Sequence, residues 1–401
     1  MLRFIPVASV LALSLSLVSC KDSDDKASTV AATDATGLVF TGNNGQTYPW
    51  SSSLYRLNTE TFEIEKLSEG ESSDAVVFNT GSEVILFNRA FDSQNYRLVT
   101  PTGNSLTLGT QTAFTAGASG DPHDLIDLGA GEVLLSNYTA GKITIMNKTT
   151  GAKVSDVEAD WDLPAGVSLQ PEALWRTTVN GKTLVYVLHQ AGQYEGNLFT
   201  VNNSQAVFVL ELNGQTLTPV DLDPATAKVQ GIKIRGSFPI AIKPEVEGAK
   251  LLIVSMCSAF VANNPTSGAA CQNSVEELDP TTQTVTELWN LDGAGYFMNG
   301  SNLLSAGGNN KFLAQIQQTV GTESVRRVVK FDPVAKTAET VYDYAPESGG
   351  YYGLYYDETR GNLFIGDINT DTLGKFTIIK ADGTQIVKTL DGIPYSGTFV
   401  Y

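Results

Sequence analysis

Histidine is almost missing from this chain. Only His123 and His189 occur in 401 residues. That leaves little for a zinc centre, which usually draws three or four ligands from cysteine, histidine and carboxylates. Common catalytic signatures are absent as well: no G-x-S-x-G elbow, H-E-x-x-H helix, Walker loop or Rossmann fingerprint is found. Positive charge is scarce, with 26 Lys and Arg against 43 Asp and Glu and a net charge of −17. No basic cluster breaks that excess. Nucleic acid bound through its phosphates is therefore not expected, and the acidity fits a solubility role at a cell surface.

Long apolar runs are lacking too, apart from Phe4 to Val18, which is 15 residues and follows the basic Arg3. A membrane-spanning helix needs about 20, so the run reads as a secretory leader. It ends in Leu17-Val18-Ser19-Cys20, which resembles the lipobox of bacterial lipoproteins. The resemblance implies a signal peptide over 1–19, cut before Cys20, and acylation of that cysteine. At about 0.8 kcal/mol per buried methylene, several acyl chains hold a domain on a membrane.

Residues 20–36 are small and polar without apolar periodicity, as in a flexible tether. Lys21 stands where aspartate would mark inner-membrane retention in enterobacterial lipoproteins. The acidic "KDSDD" resembles surface-export signals of Bacteroidetes-type lipoproteins. The expected address is the outer membrane, on its periplasmic face or at the cell surface. Two cysteines remain, Cys257 and Cys271. In an oxidising envelope they are expected to form a disulfide, and their spacing is far from a C-x-x-C redox pair. Such a bridge would contribute on the order of 3 kcal/mol.

From Gly37 onward helix signals nearly vanish. Short β-branched or aromatic runs alternate with Gly, Asn and Asp turns, the pattern of an all-β fold. "HDLIDLG", "VLLSNY", "KITIMN" and "KVSDVEA" give four strands from His123. The last turn of such a unit recurs as "LNTET" at Leu57, "TPTGN" at Thr100, "NKTTG" at Asn147 and "LNGQT" at Leu212. It returns as "DPTTQ" at Asp279, "DPVAK" at Asp332 and "ADGTQ" at Ala381. Seven four-stranded units of variable length indicate a seven-bladed β-propeller over 37–401. The first unit has only three strands, "GLVFTG", "SLYRLN" and "FEIEKL". The spare C-terminal "SGTFVY" from Ser396 is expected to complete it and close the ring.

The halves "LYRLNTETFEIEKL" and "VEELDPTTQTVTEL" resemble the YncE-like, YVTN-type propeller repeats of bacterial envelope lipoproteins. That likeness identifies a scaffold rather than a chemistry. Some lipoproteins of this type capture cobalamin or siderophores for TonB-dependent outer-membrane transporters. "GLVFTGNNGQTYPWSSSLYRLN" is loosely similar to the opening of such proteins.

Naming the strands of a blade A to D from the inside out, the A–B and C–D turns share one side of the disc. They are short and polar. The B–C loops and the connections between blades lie on the other side, where aromatic residues and length concentrate. Loops held by a rigid scaffold are the usual seat of function, and Tyr and Trp favour binding surfaces. The candidate ligand-binding residues there are Trp50, Arg89, His123, Tyr138, His189, Tyr194, Arg235, Tyr296, Tyr351 and Tyr352. Arg89 and Arg235 are the expected partners of an anionic ligand group.

Within "DPHD", Pro122 would fix the start of an inner strand, and His123 or Asp124 would bond loop backbone. Ligand contact by His123 is the second reading. Asp367, Asn369 and Asp371 offer the oxygens of an irregular calcium site. An EF-hand is excluded by Thr372 and Ile378, where it needs glycine and glutamate. No other cofactor is implied. The favoured function is capture of a small-molecule ligand, a cofactor- or siderophore-like nutrient, as accessory to an outer-membrane transporter. A protein-interaction scaffold in envelope assembly and a lactonase- or lyase-type enzyme are the alternatives.

Overall fold

The computed structural model describes residues 37–45, 51–89, 95–102, 105–114, 121–195, 198–237, 239–244, 250–255, 261–262, 271–292, 296–297, 304–305, 311–345, 353–369 and 371–400. The signal peptide and tether expected over 1–36, with Cys20, lie outside this set.

The fold is an all-β propeller of seven blades, mostly of four antiparallel strands each. The C–D turns show why the sequence punctuates itself as it does. In blades 1, 3 and 5, Asn58, Asn147 and Asp279 each accept two backbone N–H groups through Oδ1 from the turn that follows. Each turn then closes with a left-handed residue, Phe62 at φ 57°, Gly151 at φ 68° and Gln283 at φ 55°. The N–H of that residue returns to the carbonyl of the opening Asx at 2.8–2.9 Å. Asn and Asp suit this role because the short side chain mimics a turn of backbone.

Among the described residues seven buried apolar clusters hold the disc, one between each pair of adjacent blades. Alternate residues of each strand face opposite neighbours, so the central strands are apolar on both sides. The strand Val84–Asn88 is buried throughout. Leu86 then joins the cluster shared with blade 1, while Ile85 and Phe87 join that shared with blade 3.

Ring closure follows the expected scheme with one shift. The C-terminal strand runs from Ile393 to Val400, beginning three residues before Ser396, and is the inner strand of blade 1. It pairs antiparallel with Gly37–Asn43, Val400 opposite Gly37 and Ile393 opposite Asn43. Three blades depart from the simple pattern. In blade 2 the short strand Thr112–Ala113 pairs beside the third strand, Ala113 opposite Asn95. In blade 6 the inner position is divided between Tyr296–Phe297 and Leu304–Ser305, both paired to Phe312–Val320. In blade 4 the B–C loop folds into a hairpin, Gly192–Glu195 with Leu198–Val201. Its second strand pairs in parallel with Val261–Ala262 from the B–C loop of blade 5. A small three-stranded sheet therefore stands on the loop side of the disc.

Candidate functional site

Several inner strands begin in the same way. Pro122, Pro171 and Pro239 open the inner strands of blades 3, 4 and 5, and Pro394 is second in that of blade 1. Proline has no N–H to offer, which does no harm on an edge that faces the axis. Immediately after each proline the register slips. Pro122 faces Asn137 while Asp124 faces Ser136, so His123 bulges out. Glu172 bulges between Pro171 and Ala173, and Ile240 between Pro239 and Ala241. On the closing strand the slip falls between Gly397, opposite Phe40, and Pro394, opposite Gly42, a span that contains Tyr395. A β-bulge re-aims a side chain, often beside a functional site. Ile240 enters the core. His123, Glu172 and Tyr395 join a polar network at the axial mouth on the loop side.

That network crosses four blades with charges that alternate. Tyr395 Oη donates to Asp74 Oδ1 at 3.1 Å, and Arg89 Nη2 donates to the same oxygen at 2.9 Å. Arg89 Nε lies 3.5 Å from Asp121 Oδ1, and Nη1 donates to the Pro122 carbonyl at 3.2 Å. His123 is bracketed by Asp121 Oδ2 at 3.2 Å and Glu172 Oε2 at 2.6 Å. Its ring stacks on Tyr138 with centroids 4.3 Å apart, and Tyr138 Oη donates to Gln190 Oε1 at 2.6 Å. Asp121 adopts φ 66°, a left-handed conformation seldom used outside glycine. The cluster is open at its ends: the Asp74 side chain is 37% exposed, while that of Arg89 is 11% exposed.

Burial pushes the His123 pKa down, but the charge of Glu172 and hydrogen bonds to Asp121 and Glu172 outweigh it and raise it to about 9. Arg89 opposes that rise without reversing it. Burial pushes Asp121 up, yet its bonds to His123 and Thr139 and the charges of His123 and Arg89 hold it down to about 2. At neutral pH both nitrogens of His123 therefore carry protons that point at carboxylates. A raised histidine pKa gives stability that is complete below about 6.5 and is lost as pH rises through about 9. Denaturation midpoints are expected to fall across that window, and His123→Gln should flatten the fall. An unchanged slope in the variant refutes the assignment.

The other histidine pairs with a serine but cannot activate it. Burial lowers the His189 pKa to about 3. Its Nδ1 accepts the Gln170 N–H at 3.0 Å, which leaves the proton on Nε2, 3.1 Å from Ser204 Oγ. Ser204 Oγ in turn bonds Asn202 Oδ1. With the proton on Nε2, the serine oxygen receives a hydrogen bond, so no base faces it.

The remaining candidates divide. Trp50, Tyr351 and Tyr352 lie outside the described residues, as does Cys257. Tyr194 and Tyr296 fall in loop-side strands, with side chains outside the described set. Arg235 binds Asp292 at 2.6 Å, Glu287 at 2.9 Å and the Asn273 carbonyl at 3.2 Å. Both arginines expected to meet an anion thus hold the protein's own carboxylates. The calcium expectation fares no better. Asp367 is fully buried beside Lys375 at 3.3 Å, and Asn369 Oδ1 accepts N–H groups of Asp371 and Thr372. Among the described residues no group of three or more His, Cys, Asp or Glu is arranged to hold a metal. Asp124 Oδ2 accepts the Leu174 N–H at 2.8 Å, the backbone bond expected within "DPHD", here made to the next blade. Asp74, Glu172, Gln190 and Tyr395 are missing from the sequence-based set. The repeated proline at inner-strand starts is the signal that points to Glu172 and Tyr395.

Fold and mouth together define a seven-bladed propeller with a polar site built from inner-strand bulges on its loop side. No protein-family model and no curated protein sequence matches the chain. Among solved structures it is similar to a provisionally named 6-phosphogluconolactonase of Bacteroides fragilis, with 14% identity and a TM-score of 0.57 over 92% of this chain and 99% of that one. A counterpart from Bacteroides uniformis gives 13% and 0.56 over 92% and 100%. The Pseudomonas aeruginosa periplasmic gluconolactonase PpgL gives 12% and 0.53 over 92% and 99%. The chain thus resembles propellers of the 6-phosphogluconolactonase type, a likeness of fold.

Proposed function

We propose that this protein is a lipid-anchored envelope protein that captures a small molecule at the loop-side mouth, as accessory to an outer-membrane transporter. The observation that carries the reading is the convergence of His123, Glu172 and Tyr395, each set at an inner-strand bulge, on one partly exposed polar cluster. Convergent polar groups of perturbed pKa are frequent at functional sites. A thermal-shift screen tests it, because ligand at 100 times Kd stabilises by about 2.7 kcal/mol. A ligand is expected whose shift disappears in Tyr138→Ala. Loss of the shift on changing the C–D turns, with Tyr138→Ala unaffected, would sink the reading.

The anchor rests on Cys20. Radiolabelled palmitate should enter the wild-type chain and not Cys20→Ser, and labelling of the variant would exclude a lipoprotein. The Cys257–Cys271 bridge belongs to the same envelope reading, because an oxidising compartment favours it.

A hydrolase is the second reading, favoured by the carboxylates that flank His123. The charged histidine has no free lone pair, so Glu172 would have to act as base. Opening of a sugar lactone, followed by acid release, decides between them. Turnover that is lost in Glu172→Gln establishes the hydrolase, and absence of turnover retains the binding protein.

A further inference from the structure

The seam that closes the ring, between blades 7 and 1, carries charge along its outer rim. Toward the turn side, Arg360 Nη2 of blade 7 binds Glu60 Oε1 of blade 1 at 3.2 Å. Toward the loop side, Asp391 follows the outer strand of blade 7 and binds Lys66 of blade 1. Tyr55 Oη donates to the same carboxylate at 2.8 Å. Between these ties the two blades part around a cleft of about 630 Å³. Lys388 and Thr389 line it from Gln385–Leu390, the outer strand of blade 7. Glu63, Ile64 and Glu65 line it from the foot of the outer strand of blade 1.

Opposite charges on the two walls stay apart. Among the described residues, Glu63, Glu65 and Lys388 have neither an ion-pair nor a side-chain hydrogen-bond partner. Yet opposite charges do meet across the same seam on either side of the cleft. Both carboxylates are exposed, so the negative wall is open to solvent. The apolar lining is Phe62, only 8% exposed, with Ile64 beside it in the cluster between blades 7 and 1.

We infer that this cleft is a second binding site, for a short peptide with free termini that bridges the two blades. The peptide ammonium meets Glu63 and Glu65, its carboxylate meets Lys388, and its apolar side chains cover Phe62 and Ile64. An ammonium has only donors and a carboxylate only acceptors, so each end finds its complement on one wall alone. Charge-assisted hydrogen bonds of this kind are the strong ones. A ligand of a single charge would be repelled by one wall while the other attracts it. The volume lies within the roughly 300–1,000 Å³ of small-molecule sites, room for a few residues rather than a single ion. The cleft sits on the outer rim, apart from the axial mouth, so the inference does not depend on the role proposed for the mouth.

Isothermal titration of the full-length protein with the tripeptide alanyl-leucyl-alanine tests the inference, with its N-acetyl and C-terminal amide forms as comparison probes. The free tripeptide is expected to bind saturably, and each blocked form at least ten-fold more weakly. Lys388→Met should weaken the free tripeptide to the level of the amide, while leaving the affinity of the amide itself unchanged. The ligand-free melting temperature should not fall, because the ammonium that is removed has no partner. Glu63→Gln combined with Glu65→Gln should likewise bring the free tripeptide down to the level of the N-acetyl form. No saturable binding of the free tripeptide, equal binding of either blocked form, or full affinity in Lys388→Met would each overturn the site. Binding that survives Lys388→Met but is lost in Tyr138→Ala would place the peptide at the mouth, and would overturn it as well.

Discussion

Deleting Ser396–Tyr401 is expected to abolish the cooperative melting of the whole disc rather than fray one terminus. The deletion removes most of the inner strand of blade 1 and leaves Gly37–Asn43 as an open edge. It also removes Phe399 and Val400, which pack in the clusters between blades 7 and 1 and between blades 1 and 2. The bonds from Val77 N–H to Ser396 Oγ at 3.1 Å and from Asn79 Nδ2 to the Phe399 carbonyl at 2.8 Å disappear with it. Two of seven interfaces are damaged at once. No replacement can fill the gap, because that interface is built around missing side chains: a Cβ on Gly397 would stand 2.7 Å from the Tyr355 ring. Calorimetry of the truncated protein checks this. A melting temperature equal to that of the intact chain would mean that blade 1 is not closed by the C-terminus.

Arg89→Met should cost about 3 kcal/mol, the lower end of the range for removing one partner of a buried ion pair, because Asp74 stays partly solvated. The guanidinium lies between Asp74 and Asp121 and also caps the Pro122 carbonyl. Without it, two carboxylates and a carbonyl lose their shared cation, and blade 2 loses its loop-side tie to blade 3. Asp121→Asn in the same chain should recover part of the loss by removing one of the stranded charges. Urea denaturation of the single and double variants measures both effects. A midpoint unchanged by Arg89→Met would return the arginine to the role expected from sequence, a residue kept for an anionic ligand.

The architecture was readable because its turns are local. "LNTETF", "NKTTG" and "DPTTQ" each carry an Asx that caps its own turn and a final residue bent to positive φ. Nothing distant is needed to form them, so the repeat survives in the sequence. The site was less legible because its meaning lies in pairings across blades. Arg89 looks like a free cation until Asp74 and Asp121, from two different inner-strand starts, are brought against it. The same holds for His189, which looked available until folding buried it between Gln170 and Ser204. Glu172 went unnoticed, and Tyr395 was left out of the candidate set, for another reason. A bulge is a property of register between two strands, and a sequence read one strand at a time does not show it.

The closing strand also sets an order of events in the life of the chain. Thr41 and Ser396 are hydrogen-bonded neighbours that are 355 residues apart in sequence. Blades 2 to 7 can each begin to form as their own strands emerge, but blade 1 must wait for Ile393–Val400, which follows all of them in the chain. Until then Gly37–Asn43 offers an unpaired edge to any other strand nearby, including that of a sister chain. Bringing together ends so far apart is slow compared with closing a hairpin, because the entropy of the intervening loop opposes it. Blade 1 therefore closes only after Ile393–Val400 has been made. Any factor that escorts the unclosed chain has one defined feature to guard, the bare edge of the first blade.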